Sequence, residues 1–329
     1  MPGLLGLVLG SKLGLVGLIA ASGVWLSDMH PGFALSKQFA GPAFVLALVG
    51  AVLAKVMGRA RSLMAFLAAA ALLLAPLGRQ WLPSAPAAEA GAKPVRVYFA
   101  NLWVKNDQLD DAARSIADAQ PDVVALVEAA EPQLRQSRRI FEDYPYVIGG
   151  GRRGDMSGNL IASRWPLERM RGRNQDGLSV VEAMVHAPGR QFRLVVVHLT
   201  RPWPFTDDQA QRAQLERLVQ RIRDEGLPER TVVVGDFNST LSGDLLQQFQ
   251  QDAGLTAAPA RVGTWPAMLP GVLRLGIDNV FVSEDLTVVN RAVGEANGSD
   301  HRPLVFEVAP AVRRHQDEDG PYRRFQAGF

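Results

Sequence analysis

The sequence predicts an α/β fold, built on one mixed sheet or on two packed sheets with helices outside, and preceded by membrane helices. Three observations carry this. Residues 1–82 are dominated by apolar stretches and contain a single acid, Asp28. From Val95 onward, short β-rich runs alternate with polar helical segments. Some of those runs are separated by helix-length segments and others by hairpin-length loops, which favours a sheet with mixed strand directions.

The apolar part comes first in the chain. One stretch runs from Leu4 to Leu26 and is interrupted by Lys12; a second runs from Phe39 to about Met57; a third runs from Leu63 to about Leu77 and closes with Arg79 and Trp81. A spanning helix takes roughly 20 apolar residues, with a range of about 17 to 25. The second stretch meets that length. The third meets it with Trp81 and Leu82, and the first meets it if Lys12 snorkels or starts the helix. A signal peptide would explain the first stretch alone. Three membrane helices are therefore expected in residues 1–82, with two as the alternative, making the chain a multi-pass protein held in a lipid bilayer. Lys55, Arg59 and Arg61 crowd the connection between the second and third stretches, whereas Ser27 to Gln38 carries Lys37 offset by Asp28. Short loops rich in Lys and Arg stay on the cytoplasmic side. The remainder of the chain is then expected on the outer face, the periplasm in a Gram-negative cell.

Residues 83–94, PSAPAAEAGAKP, read as a linker. Residues 95–309 form the expected catalytic domain, and 310–329 a polar tail. The domain is long enough to bury its own core. Its strands are expected at Val95 to Leu102, Asp122 to Val127, Asn159 to Ser163, Ser179 to His186, Arg193 to Val197, Thr231 to Gly235, Ile277 to Val282 and Leu304 to Val308. Helices are expected at Asp107 to Ala119 and Asp207 to Asp224. The chain has no cysteine, which excludes disulfides and thiolate metal sites, and its net charge of +2 implies no broad basic field for nucleic acid. Arg135, Arg138, Arg139, Arg152 and Arg153 do form a local basic cluster in sequence.

Polar residues gather where strands end. Asn101 ends the first strand and Glu128 follows the second; His198 follows Leu194 to Val197; Asp236 and Asn238 follow Thr231 to Val234. Asp278 and the pair Asp300-His301 come at the starts of their strands, and strands running the opposite way would bring them to the same rim. Carboxylate and amide oxygens without thiolate suit Mg²⁺ or Mn²⁺. Such an ion neutralises phosphate oxygens, a neighbouring carboxylate takes a proton from water, and an imidazole donor stabilises phosphoryl charge. Each residue alone has an ordinary alternative: Glu128 a solvated loop acid, His198 a satisfied core histidine, Gly-Asp-Phe-Asn at 235–238 and Ser-Asp-His at 299–301 simple turns. Their joint occurrence in this order supports phosphoester hydrolysis.

These motifs resemble the endonuclease/exonuclease/phosphatase superfamily from Val95 to about Val308. The pieces are FANLW around Asn101, DVVALVE ending at Glu128, GNLIASRWPL at 158–167, VVHLT at 196–200, GDFNST at 235–240, IDNVFVS at 277–283 and SDHRPL at 299–304. TWP at 264–266 is similar to a bacterial membrane-anchored subgroup, the YafD-like proteins. The resemblance implies a four-layer α/β sandwich, two packed mixed β-sheets flanked by helices. It also implies roles. Glu128 binds a divalent cation, Mg²⁺ or Mn²⁺, with Asn101 assisting and Asp300 placing the metal or its waters. Asp236 orients or deprotonates water, Asn238 holds the scissile phosphate and Asp236, His198 contacts a phosphate oxygen, and His301 faces the phosphate, held by Asp278. Many relatives carry His after the Asp of the penultimate strand, where this chain has Asn279, so substrate contacts there are expected to differ.

The substrate stays open among nucleic acid, phospholipid and sugar phosphate, because the fold hosts all of these. Trp203 and Phe205, close behind His198, are candidates for stacking on a base or touching a lipid. The competing class is a catalytically inactive membrane-tethered scaffold on the same fold. A transporter is disfavoured, since the apolar helices lack paired intramembrane charges.

Overall fold

The computed structural model describes residues 12, 14–26, 31–82, 86–129, 138–149, 158–170, 177–202, 208–224 and 229–312. Arg135, Arg152, Arg153, Trp203, Phe205 and the tail from Arg313 lie outside them.

Two six-stranded sheets organise the domain. The strands are β1 (Val95–Asn101), β2 (Val123–Val127), β3 (Tyr146–Gly149), β4 (Leu160–Ser163), β5 (Leu167–Arg169), β6 (Ser179–Ala187), β7 (Arg190–His198), β8 (Thr231–Asp236), β9 (Thr256–Ala257), β10 (Asp278–Val282), β11 (Leu286–Val293) and β12 (Leu304–Pro310). One sheet runs β11-β12-β1-β2-β4-β3 and the other β5-β6-β7-β8-β10-β9. Each sheet is antiparallel except for one central parallel pair, β1 with β2 and β7 with β8. The mixture follows from the connections, because a parallel pair needs a crossover whereas antiparallel neighbours accept hairpins.

Strand alternation builds the layers. Val97, Phe99, Val232 and Val234 point between the sheets with Val196, Val280 and Phe306. The intervening residues face outward. Tyr98, Ala100, Val124 and Leu126 receive Ala112 and Ile116 of a helix at Leu109–Ala119. On the other side Val195, Val197, Val233 and Phe281 receive Leu215, Leu218 and Ile222 of Gln209–Asp224 and Leu246, Phe249 and Ala253 of Asp244–Ala253. Two packed mixed sheets flanked by helices are thus the observed architecture.

Apolar helices precede this domain: α1 (Gly14–Leu26, ending in a 3-10 turn), α2 (Pro31–Gln38), α3 (Ala40–Val56) and α4 (Ala60–Trp81); the three domain helices then become α5, α6 and α7 in chain order. Three spanning helices were expected, and the described residues indicate them only in part; Leu4 to Ser11 and Leu13 of the first stretch lie outside those residues. Among the described residues α4, with 22 residues, is the one helix long and apolar enough to cross a membrane, while α1 and the 17-residue α3 are shorter. At about 1.5 Å per residue α3 reaches about 26 Å against a hydrocarbon core of about 30 Å. It is cut short by breaks at Phe39 and at Met57–Arg59, where Gly58 takes φ +67°.

α3 and α4 form a hairpin. Its distal end carries Lys55, Arg59 and Arg61, and its proximal end brings Phe44 edge-on to Trp81 at 5.6 Å. The proximal end is sewn to the domain by polar bonds. Gln38 Oε1 accepts the Thr240 N–H at 2.6 Å, and Gln80 Nε2 donates to the Ala260 carbonyl at 2.8 Å. The Ala260 N–H donates to the Gln80 carbonyl at 2.7 Å, and Lys37 and Arg79 both pair with Asp244. Of the segment read as a linker, Ala87 to Glu89 runs beside the end of β12, with Glu89 N–H on the Pro310 carbonyl and Val312 N–H on the Ala87 carbonyl.

Candidate active site

The register of the sheets assembles the site. In the parallel pair β7–β8, His198 lies opposite Asp236; in the antiparallel pair β8–β10, Asp278 lies opposite Asp236. β1 and β2 run in parallel, so Asn101 pairs with Val127 and Glu128 follows at once. Strands β10 and β12 run against their neighbours, which brings Asp278 and, ahead of β12, His301 to the same rim. Gly235 is required by close approach, since a Cβ there would meet the Val197 carbonyl oxygen at 2.1 Å. Glu128 and Asn238 both adopt left-handed backbone, φ 53° and 48°. Such conformations are uncommon outside glycine and cluster at functional sites.

Asp236 is the hub, with 1% of its surface exposed. Its Oδ1 accepts the Asn238 N–H at 2.8 Å. Its Oδ2 accepts Asn101 Nδ2 at 3.0 Å and lies 3.8 Å from His198 Nε2 and 3.7 Å from His301 Nε2. Burial and the neighbouring Asp278 carboxylate push its pKa up, against the pull of the two imidazoles. His301 Nδ1 lies 2.8 Å from Asp278 Oδ2. Burial pulls the His301 pKa down, but the Asp278 and Asp236 carboxylates outweigh it and hold it at about 10. The imidazole therefore carries a proton on Nε2, aimed at Asp236, at neutral pH.

Glu128 occupies the open side. Its Oε1 accepts Asn101 Nδ2 at 2.8 Å and lies 3.5 Å from His198 Nε2, and its Oε2 accepts the Val104 N–H at 3.1 Å. Glu128, His198 and Asp236 each offer a donor atom within 4.8 Å of the others, as do Asp236, Asp278 and His301. The group with Glu128 fits a divalent cation, offering carboxylate and imidazole donors and no thiolate. Asp278 Oδ1 is buried without a hydrogen-bond partner, an unmet acceptor beside the second group.

Seven of the eight predicted residues converge here. Asn238 Nδ2 donates to the Leu199 carbonyl at 2.9 Å, so its side chain braces the loop while its backbone serves Asp236. Asp300 stands aside from both donor groups: its Oδ2 accepts Trp265 Nε1 at 3.1 Å, though its charge is close enough to raise His301. Asn279 is fully buried, and its Nδ2 donates to the carbonyls of Ser239 at 3.0 Å and Gly276 at 3.1 Å. It ties the loop after Asn238 to the segment ahead of Asp278.

The model of the Endonuclease/Exonuclease/phosphatase family matches residues 99–301, more than half of the chain. The chain belongs to that family. It is a hydrolase of phosphoester bonds, and its fold recurs in solved structures. An endonuclease/exonuclease/phosphatase from Bacteroides vulgatus superposes with TM-score 0.54 at 20% identity, covering 66% of this chain and 99% of that one. TDP2 from D. rerio, solved with a single-strand DNA product, gives 0.51 at 19%, covering 66% and 99%. Sphingomyelinase C from Streptomyces griseocarneus gives 0.50 at 15%, covering 65% and 99%. No curated protein matches the chain.

A residue that sequence reasoning missed for this family site is Arg291 of β11. Its NH2 donates to the Asp278 carbonyl at 2.9 Å and its NH1 to the Pro259 carbonyl at 3.0 Å. Burial lowers its pKa to about 10, with Asp278 acting in the opposite sense. The signal was weak, a lone arginine within an apolar run. Trp265 was noted only as part of TWP; its indole carries Asp300 and packs under the Arg201 guanidinium at 5.1 Å.

Proposed function

We propose that this chain is a membrane-anchored, divalent-metal-dependent phosphodiesterase. The observation that supports it most is the placing of Asp236 between Glu128 and the Asp278–His301 pair, with two imidazole Nε2 atoms within 3.8 Å. Glu128, oriented by Asn101 and the Val104 N–H, would hold Mg²⁺ or Mn²⁺, with Asp300 at the edge of the site placing its waters. Such an ion, when bound, would supply charge neutralisation at the phosphoryl oxygens. Asp236, with its raised pKa, orients water and accepts its proton. Protonated His301, together with the Nε2 of His198, would donate to phosphoryl oxygens, where negative charge develops. Asp278 orients the His301 imidazolium by accepting its Nδ1–H. Asn238 shapes the loop that presents Asp236.

Anchoring is read from α4, backed by the shorter α1 and α3. Outward-facing Leu67, Leu74, Val49, Val52, Leu53 and Val56 would meet lipid. With Lys55, Arg59 and Arg61 at the distal end of the hairpin and the domain at the proximal end, the basic-inside rule puts the domain outside the cytoplasm.

The test is hydrolysis by the purified full-length chain. Turnover of bis(p-nitrophenyl) phosphate should vanish with chelator and return with Mg²⁺ or Mn²⁺. Metal-independent turnover would refute the cation. No turnover of this ester, DNA, RNA or phospholipid with any divalent ion would favour the inactive scaffold.

A further inference from the structure

We infer that residues 266–273 form a bilayer-contacting lip on the active-site mouth, and that the site draws its phosphoester from a lipid headgroup. The inference rests on the anchoring proposed above.

The lip is apolar and uncovered. Met268 is 88% exposed and Val272 60%, with Val262 beside them at 41%. A cluster of bare aliphatic side chains at the edge of an otherwise polar site marks an interaction surface. Its position says which surface. The turn Gly271–Leu273 lies against α3, and the neighbouring segment at Ala260–Arg261 bonds to Gln80 and Trp81 at the end of α4. The lip is thus continuous with the end of the apolar hairpin, where a membrane surface would lie.

The base of the lip is built into the site. Ala267 N–H donates to the Asp300 carbonyl at 2.7 Å, Trp265 Nε1 to its carboxylate, and Arg302 N–H to the Thr264 carbonyl at 3.0 Å; His301 stands between. Arg274 Nε pins the lip through the Leu269 carbonyl at 2.7 Å. Arg274 and Arg302 are close enough to repel one another, and Arg201 covers Trp265. Exposed apolar side chains with guanidinium groups at their base match a bilayer, whose acyl region lies beneath a layer of phosphates.

The chain has no cysteine, so single labels can be placed cleanly. Full-length Met268→Cys, Val272→Cys, Leu67→Cys on α4 and Arg114→Cys on the remote α5 would each carry an environment-sensitive fluorophore in vesicles of phosphatidylethanolamine, phosphatidylglycerol and cardiolipin. Nitroxide lipids should quench positions 67, 268 and 272 and spare 114. Quenching at 67 while 268 and 272 behave like 114 overturns the lip and leaves anchoring intact; no quenching at 67 refutes anchoring, and the lip with it. In the same vesicles, Met268→Asp combined with Val272→Asp should lower the ratio of lipid to bis(p-nitrophenyl) phosphate hydrolysis by about tenfold. An unchanged ratio, or no lipid hydrolysis by the unaltered chain while the soluble ester turns over, overturns the lipid headgroup.

Discussion

His301 Nδ1 meets Asp278 Oδ2 at 2.8 Å although the two lie 23 positions apart, and Nε2 on the opposite edge of that imidazole lies 3.7 Å from Asp236 Oδ2. The pair sets both the orientation and the charge of the ring. His301→Ala removes the donor and should lower turnover by about 10²–10⁴-fold. Asp278→Asn keeps the shape but loses the charge that holds the imidazole protonated, so turnover should fall less than with His301→Ala. Steady-state rates on a soluble phosphodiester check the order. Wild-type turnover in Asp278→Asn would remove the dyad from the mechanism.

Glu128 is gripped by two donors, Asn101 Nδ2 and the Val104 N–H, and both point its oxygens toward His198 and Asp236. Glu128→Gln removes a full charge with little change of volume. The Mg²⁺ concentration giving half-maximal activity should rise at least about tenfold, because hard cations are held mainly by carboxylate charge. Titration calorimetry with Mn²⁺ should show the same loss. Equal metal affinity in the variant would move the cation away from Glu128.

Arg291 supports the site from behind. Its guanidinium donates to two carbonyls, that of buried Asp278 and that of Pro259. Arg291→Met leaves both without that donor and should cost about 1–3 kcal/mol of stability per lost partner at most. Denaturant midpoints measure this. Because Asp278 would shift with its carbonyl, turnover should fall as well, and Arg291→Lys should restore part of both.

Much of this was legible because the chemistry recurs at strand ends, where register is fixed by the hydrophobic pattern. Asn101, Glu128, His198 and Asp236 followed from the positions just after apolar runs of three to five residues, and Asp278 and His301 from the positions at or ahead of two further strands. What escaped lacked that pattern. β11 (Leu286–Val293) is an edge strand with most of its length half-exposed, so its alternation is faint, and β5 (Leu167–Arg169) is too short to show a period. α7 did carry a signal, Leu246, Phe249 and Ala253 at helical spacing, but glutamines dominate it. Nor can a sequence show that Glu182 is buried between Arg193 and Arg221, since each alone reads as a surface charge. Apolar length in sequence also ran through Phe39 and Met57, where the backbone breaks and leaves α3 with 17 residues.

The seam between anchor and domain should respond to acid through Asp244. Burial would raise this carboxyl, but Lys37 and Arg79 outweigh it and hold its pKa below the ordinary value. A carboxylate whose folded pKa is depressed contributes stability above its unfolded pKa, about 3.9, and loses it as pH falls through the folded value. The seam should therefore be indifferent to pH from neutrality down to about 5 and loosen below about 4. Asp244 is half exposed, with 49% of its side chain open, so the loss is local and does not unfold the domain. Hydrogen exchange reports it directly. The Thr240 and Ala260 N–H groups bond to Gln38 and Gln80 across the seam. Their protection, corrected for intrinsic rates, should drop as pH goes from about 5 to about 3. In Asp244→Asn protection should already be reduced at neutral pH and change little on acidification. Protection that stays constant through that range in the unaltered chain would show that the two glutamines, and not the ion pairs, hold the anchor against the rim of the active site.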